Sequence, residues 1–534
     1  MKDKSFPNLE HELGQLFMTS LDHERAKRYE REIRGGLIGG CLLRRDYFTG
    51  SHARAFSKKM QSWSAATKLQ LPFLIAVDHE GGPMFTQRRY GTSFPGNMAL
   101  GACQNESWTE KAAFASAQEL RSLGVHIDFA PVVDVNVNPN NPIVGIRSFG
   151  ENPERVARHT RRAIVGYLRG GVFPVPKHFP GHGDTSVDSH RGLPVIKKSL
   201  PEMLRHELSP FQAAISAGAP LMMSAHILFP SLDPKNPATF SKKIIGGVLR
   251  KKLGFQGVVI SDSLDMGAIS KRFDIGEACV LALEGGCDIL LIGTADFKRA
   301  YSRVLFAVRS GRLSETRVHE AFLRVLSLKN KILKNQHAFS ASTQIQKEKH
   351  RELARRIAQN SVTLLRDEKA FLPLRFKKRE ELLFVSFRPE QFALESKQFA
   401  SQLRRRHFLT RSIDVDVHSL SRPVDRILRL AACADFLIIG TFSWGELPRK
   451  SQIHLVRNLL KLKKPAVLFS MMNPYDVRHY PEAGSVLCCY GMTSSALQAS
   501  AKLLFGEISP RGQIPVTIPG SFSKDSGLSR FNRP

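Results

Sequence analysis

The sequence predicts an α/β protein, an N-terminal (β/α)8 TIM-type barrel followed by a second, smaller C-terminal α/β sandwich domain. Three observations lead there. Eight apolar, β-rich runs recur through about the first 300 residues, with helix-period segments between most of them. Polar residues collect at the C-terminal ends of these runs. A polar, aperiodic stretch, "QHAFSASTQIQKEK", then separates them from a second series of runs.

In chain order the eight runs are "QLFMTS", "GLIGGCLL", "PFLIAVD", "VHIDFAPVVDV", "VFPVPKHF", "PLMMSAHI", "GVVISDSL" and "CDILLIGT". They are continuously apolar rather than alternating, as expected of parallel strands covered on both faces. Segments such as "ESWTEKAAFASAQELRSLG" and "NPERVARHTRRAIVGYLRGG" carry helical periodicity, a polar start and a glycine stop. A helix is expected from about His350 through "RELARRIAQNSVTLL". Beyond it, "ELLFVSF", "ADFLIIGTF", "PAVLFSMM" and "SVLCCYG" read as strands. At 534 residues the chain exceeds the size of a single hydrophobic core. The expected division is a barrel over 1–335, a linker over 336–349 and an α/β domain over 350–534.

A hydrophobic content of 42% with 24% charged residues fits a soluble globular protein rather than a disordered one. The seven cysteines are scattered, with no C-x-x-C pair, which indicates thiols in a reducing compartment. No apolar stretch follows the charged N-terminus as a signal peptide requires, and no run is long enough for a membrane span. A cytoplasmic protein without membrane attachment is expected. The net charge of +30 suits a nucleic-acid binder in principle. The basic runs, "LRRR", "RFKKR" and "LRKKLG", are short and dispersed, lack interleaved aromatics and accompany no binding motif. A basic solvated surface, compatible with attraction to an acidic substrate, is the better reading.

The polar strand ends are Asp78-His79-Glu80, Asp134, Lys177-His178, His226 and Asp262. That end of a barrel carries the active site, so the pattern favours an enzyme. The densest stretch is "KHFPGHGDTSVDSH", from Lys177 to His190. A metal site is disfavoured: Pro180 and Gly181 prevent a helix from presenting His178 and His182 together, and no cysteine lies nearby. A phosphate cradle lacks the required glycine-lysine pattern, and an incidental solvated loop is the plain alternative. A catalytic reading explains more. Asp188 and His190 are two apart, so an extended backbone puts both on one face. A carboxylate beside an imidazole stabilises its protonated form and fixes its orientation, as a general acid requires. Gly181 and Gly183 would let the loop move. Asp262, after "GVVIS", could be a nucleophile toward an anomeric carbon or a helix N-cap, and on spacing alone the two readings stand level. Asp265 is expected in the first turn of the following helix.

The loop "KHFPGHGDTSVDSH" resembles the signature loop of glycoside hydrolase family 3 β-N-acetylglucosaminidases, the NagZ-like branch in its two-domain form. So do "VDHEGG", "FPGNMALGA", "DFAPVVDVNVNPNNPIVGIRSFG", "SAHILFPSLDP", "GFQGVVISDSLDM" and "LLFGEISPRGQIPVTIPG", in the family's order along nearly the whole chain. The resemblance implies that Asp262 is the nucleophile, His190 the acid/base and Asp188 its dyad partner. It implies that Asp78, Arg147, Lys177 and His178 hold the non-reducing GlcNAc. Two departures stand out: Pro83 follows "EGG" where the family often has arginine, with Arg88 and Arg89 further on, and His79 replaces a common glutamine.

The resemblance implies a retaining exo-β-N-acetylglucosaminidase acting on peptidoglycan fragments such as GlcNAc-1,6-anhydro-MurNAc-peptides, without cofactor or metal. A monomer with a GlcNAc-containing glycan or muropeptide as its partner is expected. Two alternatives remain: a β-N-acetylglucosaminide phosphorylase using the same site, because histidine repels phosphate less than glutamate does, and a non-catalytic glycan-binding relative.

Overall fold

The computed structural model describes residues 8–43, 50–67, 69–84, 91–338, 346–419, 424–444 and 448–532. Each of the eight N-terminal runs contains a strand: β1 (Phe17–Leu21), β2 (Gly40–Leu43), β3 (Leu74–Val77), β4 (Ile127–Asp128), β5 (Phe173–Pro174), β6 (Leu221–Ser224), β7 (Val258–Ser261) and β8 (Leu290–Leu291). Six pair in the order β5-β4-β3-β2-β1-β8 and β6 pairs with β7, all in parallel. Parallel bridges Ile260–Ile289 and Phe179–Ser224 complete the ring. The strand side chains are almost all buried, as sheets covered on both faces require.

The helices between strands follow their local signals. The helix Pro153–Gly170 starts on Asn152, whose side chain accepts from the Arg155 N–H. It stops at Gly171, which has φ of 85°. At the base of the barrel, Lys329 is fully buried. Its ammonium donates to Gln15 Oε1 (2.6 Å), Gly39 O (2.9 Å) and Pro72 O (2.8 Å), tying together the chain segments that enter β1, β2 and β3. Among the described residues no helix is long and apolar enough to cross a membrane.

A second sheet runs β11-β10-β12-β13-β14-β9, from β9 (Thr363–Asp367), β10 (Leu382–Arg388), β11 (Thr410–Asp416), β12 (Phe436–Thr441), β13 (Ala466–Ser470) and β14 (Ser485–Cys488). Five strands are parallel, and β9 is antiparallel to β14. Two of the six are absent from the sequence reading. The helix expected through Leu365 ends at Ser361, and the residues after Val362 form β9. β11 is an edge strand with alternating exposure and several charges, so its run is not apolar. The linker interval is also partly helical: one helix continues to Ala338 and the next begins at Lys347, while 339–345 lie outside the described residues.

The barrel core and the second-sheet core are separate clusters, and the second takes in Met98, Ala99, Ala102 and Ile146 from the barrel. The helix Lys347–Ser361 packs between the two, placing Ala354 and Ile357 against Phe94, Leu100 and Phe149. Polar contacts reinforce the seam: Asn136 Nδ2 donates to Tyr475 Oη (2.9 Å), Arg478 Nη2 to Asn140 Oδ1 (2.7 Å), and Gln513 N to Ala102 O (3.1 Å). The second sheet is thereby fixed over the C-terminal ends of the barrel strands.

Candidate active site

Asp78 directly follows β3 and Asp262 directly follows β7, while Lys177 and His178 lie just beyond β5. Arg147 closes a short turn, Gly145–Arg147. Together with Asp188 and His190 they line one cavity of about 790 Å³.

The floor is an alternating chain of charges. Lys177 Nζ lies 2.8 Å from Asp78 Oδ1 and 2.7 Å from Glu80 Oε1. Glu80 also accepts a fork from Arg147, Nε to Oε2 and Nη2 to Oε1, both 2.8 Å. Burial opposes ionisation of Glu80, but Arg147 and Lys177 outweigh it and hold the carboxyl well below its ordinary range. Burial likewise opposes the Lys177 ammonium, and Asp78 and Glu80 reverse the balance, raising its pKa. Arg147 Nη1 donates to Ile143 O (3.0 Å), so among the described residues two of its five N–H groups remain uncommitted, as does one of the three on Lys177. The floor is thus held rigidly by ions whose spare donors can reach sugar hydroxyls.

His178 is oriented from behind. Its Nδ1 lies 2.8 Å from Asp134 Oδ2, and Asp134 Oδ1 accepts the main-chain N–H groups of His178 (3.2 Å) and His182 (2.7 Å). Glu80 and Asp134 were visible in sequence as strand-end carboxylates, but their roles were missed. Their partners lie far along the chain, and spacing carries no signal for them.

Asp262 does not cap a helix. Its Oδ1 accepts the Ser263 N–H at 2.7 Å, and the next helix, Gly267–Ser270, has Met266 at its N-cap. Burial raises the Asp262 pKa, but His178, His226, the Ser263 N–H and Lys177 bring it below its ordinary value, so it is a carboxylate at neutral pH. His226 Nε2 lies 3.0 Å from Ser263 O, which sets that nitrogen as the donor. Asp265, expected inside the next helix, precedes it and accepts from Thr294 N (2.7 Å) and Ser263 Oγ (2.7 Å).

The pairing of Asp188 with His190 is close, but an extended backbone does not make it. Residues 189–191 form a turn in which Arg191 N and Gly192 N both donate to Asp188 O. The turn brings His190 Nδ1 to 2.8 Å from Asp188 Oδ1. Nδ1 therefore carries a proton toward the carboxylate, leaving Nε2 as the nitrogen not committed to Asp188. Hydrogen bonding to Asp188 is the main reason the His190 pKa lies above its ordinary value, with burial opposing and the charges of Asp188 and Asp262 assisting.

The tip of this loop is seated on the chain that follows Asp262. Ala268 N donates to Ser189 O (3.0 Å), Lys271 Nζ donates to Arg191 O (2.7 Å), and Gly267 lies so close that a Cβ there would be 2.4 Å from His190 O. His182 and Asp184, which had no role in the sequence reading, anchor the loop. His182 bridges Thr185 Oγ1 (2.8 Å) and Ser189 Oγ (3.1 Å), and burial pushes its pKa down to about 4. Asp184 pairs with Lys198 at 2.8 Å. Gly181 and Gly183 are positions of close approach rather than loose hinges: a Cβ on Gly183 would lie 1.8 Å from Val135 O. Arg88 and Arg89 lie outside the described residues. Among the described residues no group of three His, Cys, Asp or Glu side chains is disposed to hold a metal ion.

A parallel barrel with a buried carboxylate and a carboxylate-bound imidazole lining one cavity supplies a nucleophile and a general acid, the two roles that glycoside hydrolysis needs, with histidine in place of the usual second carboxylate. Comparison with known proteins carries this to a family. Residues 8–328 match the glycosyl hydrolase family 3 N-terminal domain and residues 362–532 its C-terminal domain. The chain is 31% identical to beta-hexosaminidase A of Pseudoalteromonas piscicida, over 94% of this chain and 92% of that protein. It is 34% identical to a beta-hexosaminidase of Thiobacillus denitrificans, over 52% of this chain and 78% of the relative. The solved structure of a glycoside hydrolase family 3 beta-N-acetylglucosaminidase from a Paenibacillus species superposes with a TM-score of 0.88 at 33% identity, covering 97% of this chain and 100% of that one. The chain belongs to glycosyl hydrolase family 3.

Proposed function

We propose that the protein is a retaining exo-β-N-acetylglucosaminidase that removes terminal GlcNAc from peptidoglycan fragments such as GlcNAc-1,6-anhydro-MurNAc-peptides. The observation that carries the reading is that Asp262, the Asp188–His190 pair and the ion-braced floor of Asp78, Lys177 and Arg147 line one cavity. The similarity to beta-hexosaminidases supports the choice of an N-acetylhexosamine over a plain hexose.

In the proposed reaction Asp78, Arg147, Lys177 and His178 hold the sugar. A carboxylate oxygen of Asp262 bonds to the anomeric carbon as the glycosidic C–O bond breaks, and its electron pair leaves with the departing oxygen. His190 Nε2–H protonates that oxygen, and Asp188 stabilises the imidazolium beforehand. Neutral His190 then takes a proton from water as the water oxygen bonds to the anomeric carbon and the bond to Asp262 breaks. The imidazolium is restored and β-GlcNAc is released.

The test is the product formed from GlcNAc-1,6-anhydro-MurNAc-peptide, followed by NMR with and without phosphate. Initial release of the β-anomer supports the retaining mechanism, and α-GlcNAc as first product rejects it. GlcNAc-1-phosphate formed only with phosphate would assign a phosphorylase instead. Binding without turnover would assign a glycan-binding protein.

A further inference from the structure

Basic runs that stand apart in the sequence are neighbours in the fold. "RFKKR" (375–379) lies just before β10, and "LRRR" (403–406) ends the helix Ala393–Arg406 just before β11, the strand paired with β10. The two segments touch. The Phe376 ring stacks on the His407 ring with centroids 3.8 Å apart, His407 Nε2 donates to Glu380 O (2.8 Å), and Leu382 N donates to Leu409 O (3.0 Å). A third run, "KLKK" (461–464), precedes β13, two strands along from β10. These strands are parallel, so all three runs sit on one rim of the sheet, at the strand N-termini. The other ends of β10, β11 and β12 lead to Gln391, Val417 and Phe442, which line the active-site cavity. The rim is therefore the end of the sheet remote from that cavity.

The carboxylates of the rim are engaged within the protein. Glu380 accepts the Lys377 N–H (2.6 Å), Glu381 pairs with Arg411 (3.0 Å), Asp435 accepts the Glu381 N–H (2.8 Å), and Glu507 pairs with Arg406 (3.1 Å). Glu368 and Glu482 stand further along, beside β9 and β14, near Arg366 and Arg457. More cations remain. Arg375, Lys377, Lys378, Arg379 and Arg405 are exposed, and among the described residues their side chains have no carboxylate partner. Between them and β11 stands Phe408, which at 81% is the most exposed large apolar side chain among the described residues. Phe376 is occupied by His407 and by Phe436, at 4.8 Å. On the β11 side of the rim a cavity of about 380 Å³ is lined by Arg404, Arg411 and Arg426 together with the apolar Leu383, Ile413 and Ile427.

We propose that this rim docks the protein on an anionic lipid bilayer, with its lysines and arginines against the headgroup phosphates and Phe408 in the interfacial layer. The docking stands whether or not the protein is a glycosidase. Each cation held near an anionic bilayer strengthens binding by about fivefold, and an exposed aromatic side chain beside the cations adds an apolar anchor. Single-stranded nucleic acid, the other polyanion a basic patch attracts, is held by successive aromatic faces on which bases stack. The rim has one free ring, and its cavity offers aliphatic side chains where such a groove would carry aromatics. Docking through the strand N-termini also leaves the cavity at the strand C-termini uncovered.

The test is co-sedimentation of the full chain with vesicles of phosphatidylglycerol mixed with phosphatidylcholine, and with vesicles of phosphatidylcholine alone. Binding is expected only to the anionic vesicles and should weaken as salt rises. Lys377→Gln with Lys378→Gln should lower the partition constant by about 25-fold, and Phe408→Ser by about tenfold. Lys251→Gln with Lys252→Gln removes the same charge from the exposed "LRKKLG" run on the barrel and should cost less than about twofold. Every substituted side chain is exposed, so the melting temperatures should hold. Equal losses from the two lysine pairs would assign the attraction to the total charge and overturn the proposal. Equal binding to neutral vesicles, no binding to anionic ones, or wild-type binding by Phe408→Ser would overturn it as well. Retention of a single-stranded oligonucleotide in preference to anionic vesicles would assign the rim to nucleic acid instead.

Discussion

Asp188 Oδ1 accepts two hydrogen bonds from one residue, the main-chain N–H and the ring Nδ1–H of His190, both at 2.8 Å. One carboxylate oxygen thus fixes both the turn and the tautomer of the imidazole it carries.

The pH profile should follow from this contact. Asp188 raises the His190 pKa above its ordinary 6.5, so the protonated acid persists to higher pH and the alkaline limb of kcat/KM lies above that value. Asp262 is depressed below its ordinary 3.8, so the acid limb falls below that value. Asp188→Asn should move the alkaline limb down and lower kcat by roughly 10²-fold. An unmoved limb would show that His190 does not titrate in the profile.

Asp262→Asn should lower turnover of a chromogenic GlcNAc glycoside by about 10⁴-fold with little change in melting temperature. The side chain is similar in size and keeps the acceptor for Ser263 N. Residual activity within tenfold of wild type would remove Asp262 from the role of nucleophile.

Gly267→Ala would set a methyl group against His190 O, where a Cβ would be 2.4 Å away. The loop tip must then lift, and kcat should fall by about tenfold or more, because small misplacements of a catalytic group are costly. GlcNAc held by the floor should still bind with near wild-type affinity. Weakened GlcNAc binding with an unchanged kcat would contradict this account of the seat.

Lys329→Met would leave Gln15 Oε1 and Pro72 O without their buried donor, and would leave Gly39 O with the Leu74 N–H alone. Stability should fall by about 3 kcal/mol. The denaturation midpoint should drop, while kcat per folded molecule holds, because the lysine lies at the barrel end opposite the cavity.

The barrel and the site's position were legible because the β/α repeat forces chemistry-bearing residues to strand ends, and Asp78, Lys177, His178 and Asp262 stand at those ends. What spacing could not show was long-range partnership. Glu80 meets Arg147, Asp134 meets His178, and nothing near either pair in the chain announces it. The turn at 189–191 was misread as extended, because alternation on a strand and an Asp side chain folding back two residues give the same i, i+2 spacing. β9 was hidden for a local reason: Leu364 and Leu365 continue the apolar period of the preceding helix. β11 was hidden by its place at a sheet edge, where Arg411, Asp414 and Asp416 tolerate exposure.

The seat of Ser189 on Ala268 gives the loop a further property. Because Ser189 O receives a main-chain N–H from the segment that leaves Asp262, the chain that carries the proposed nucleophile also gauges how far off the imidazole stands. Asp262 and His190 share a backbone ruler with no side chain in it. Sequence drift in the side chains around the loop can therefore retune what the cavity admits without altering the span between Asp262 and His190.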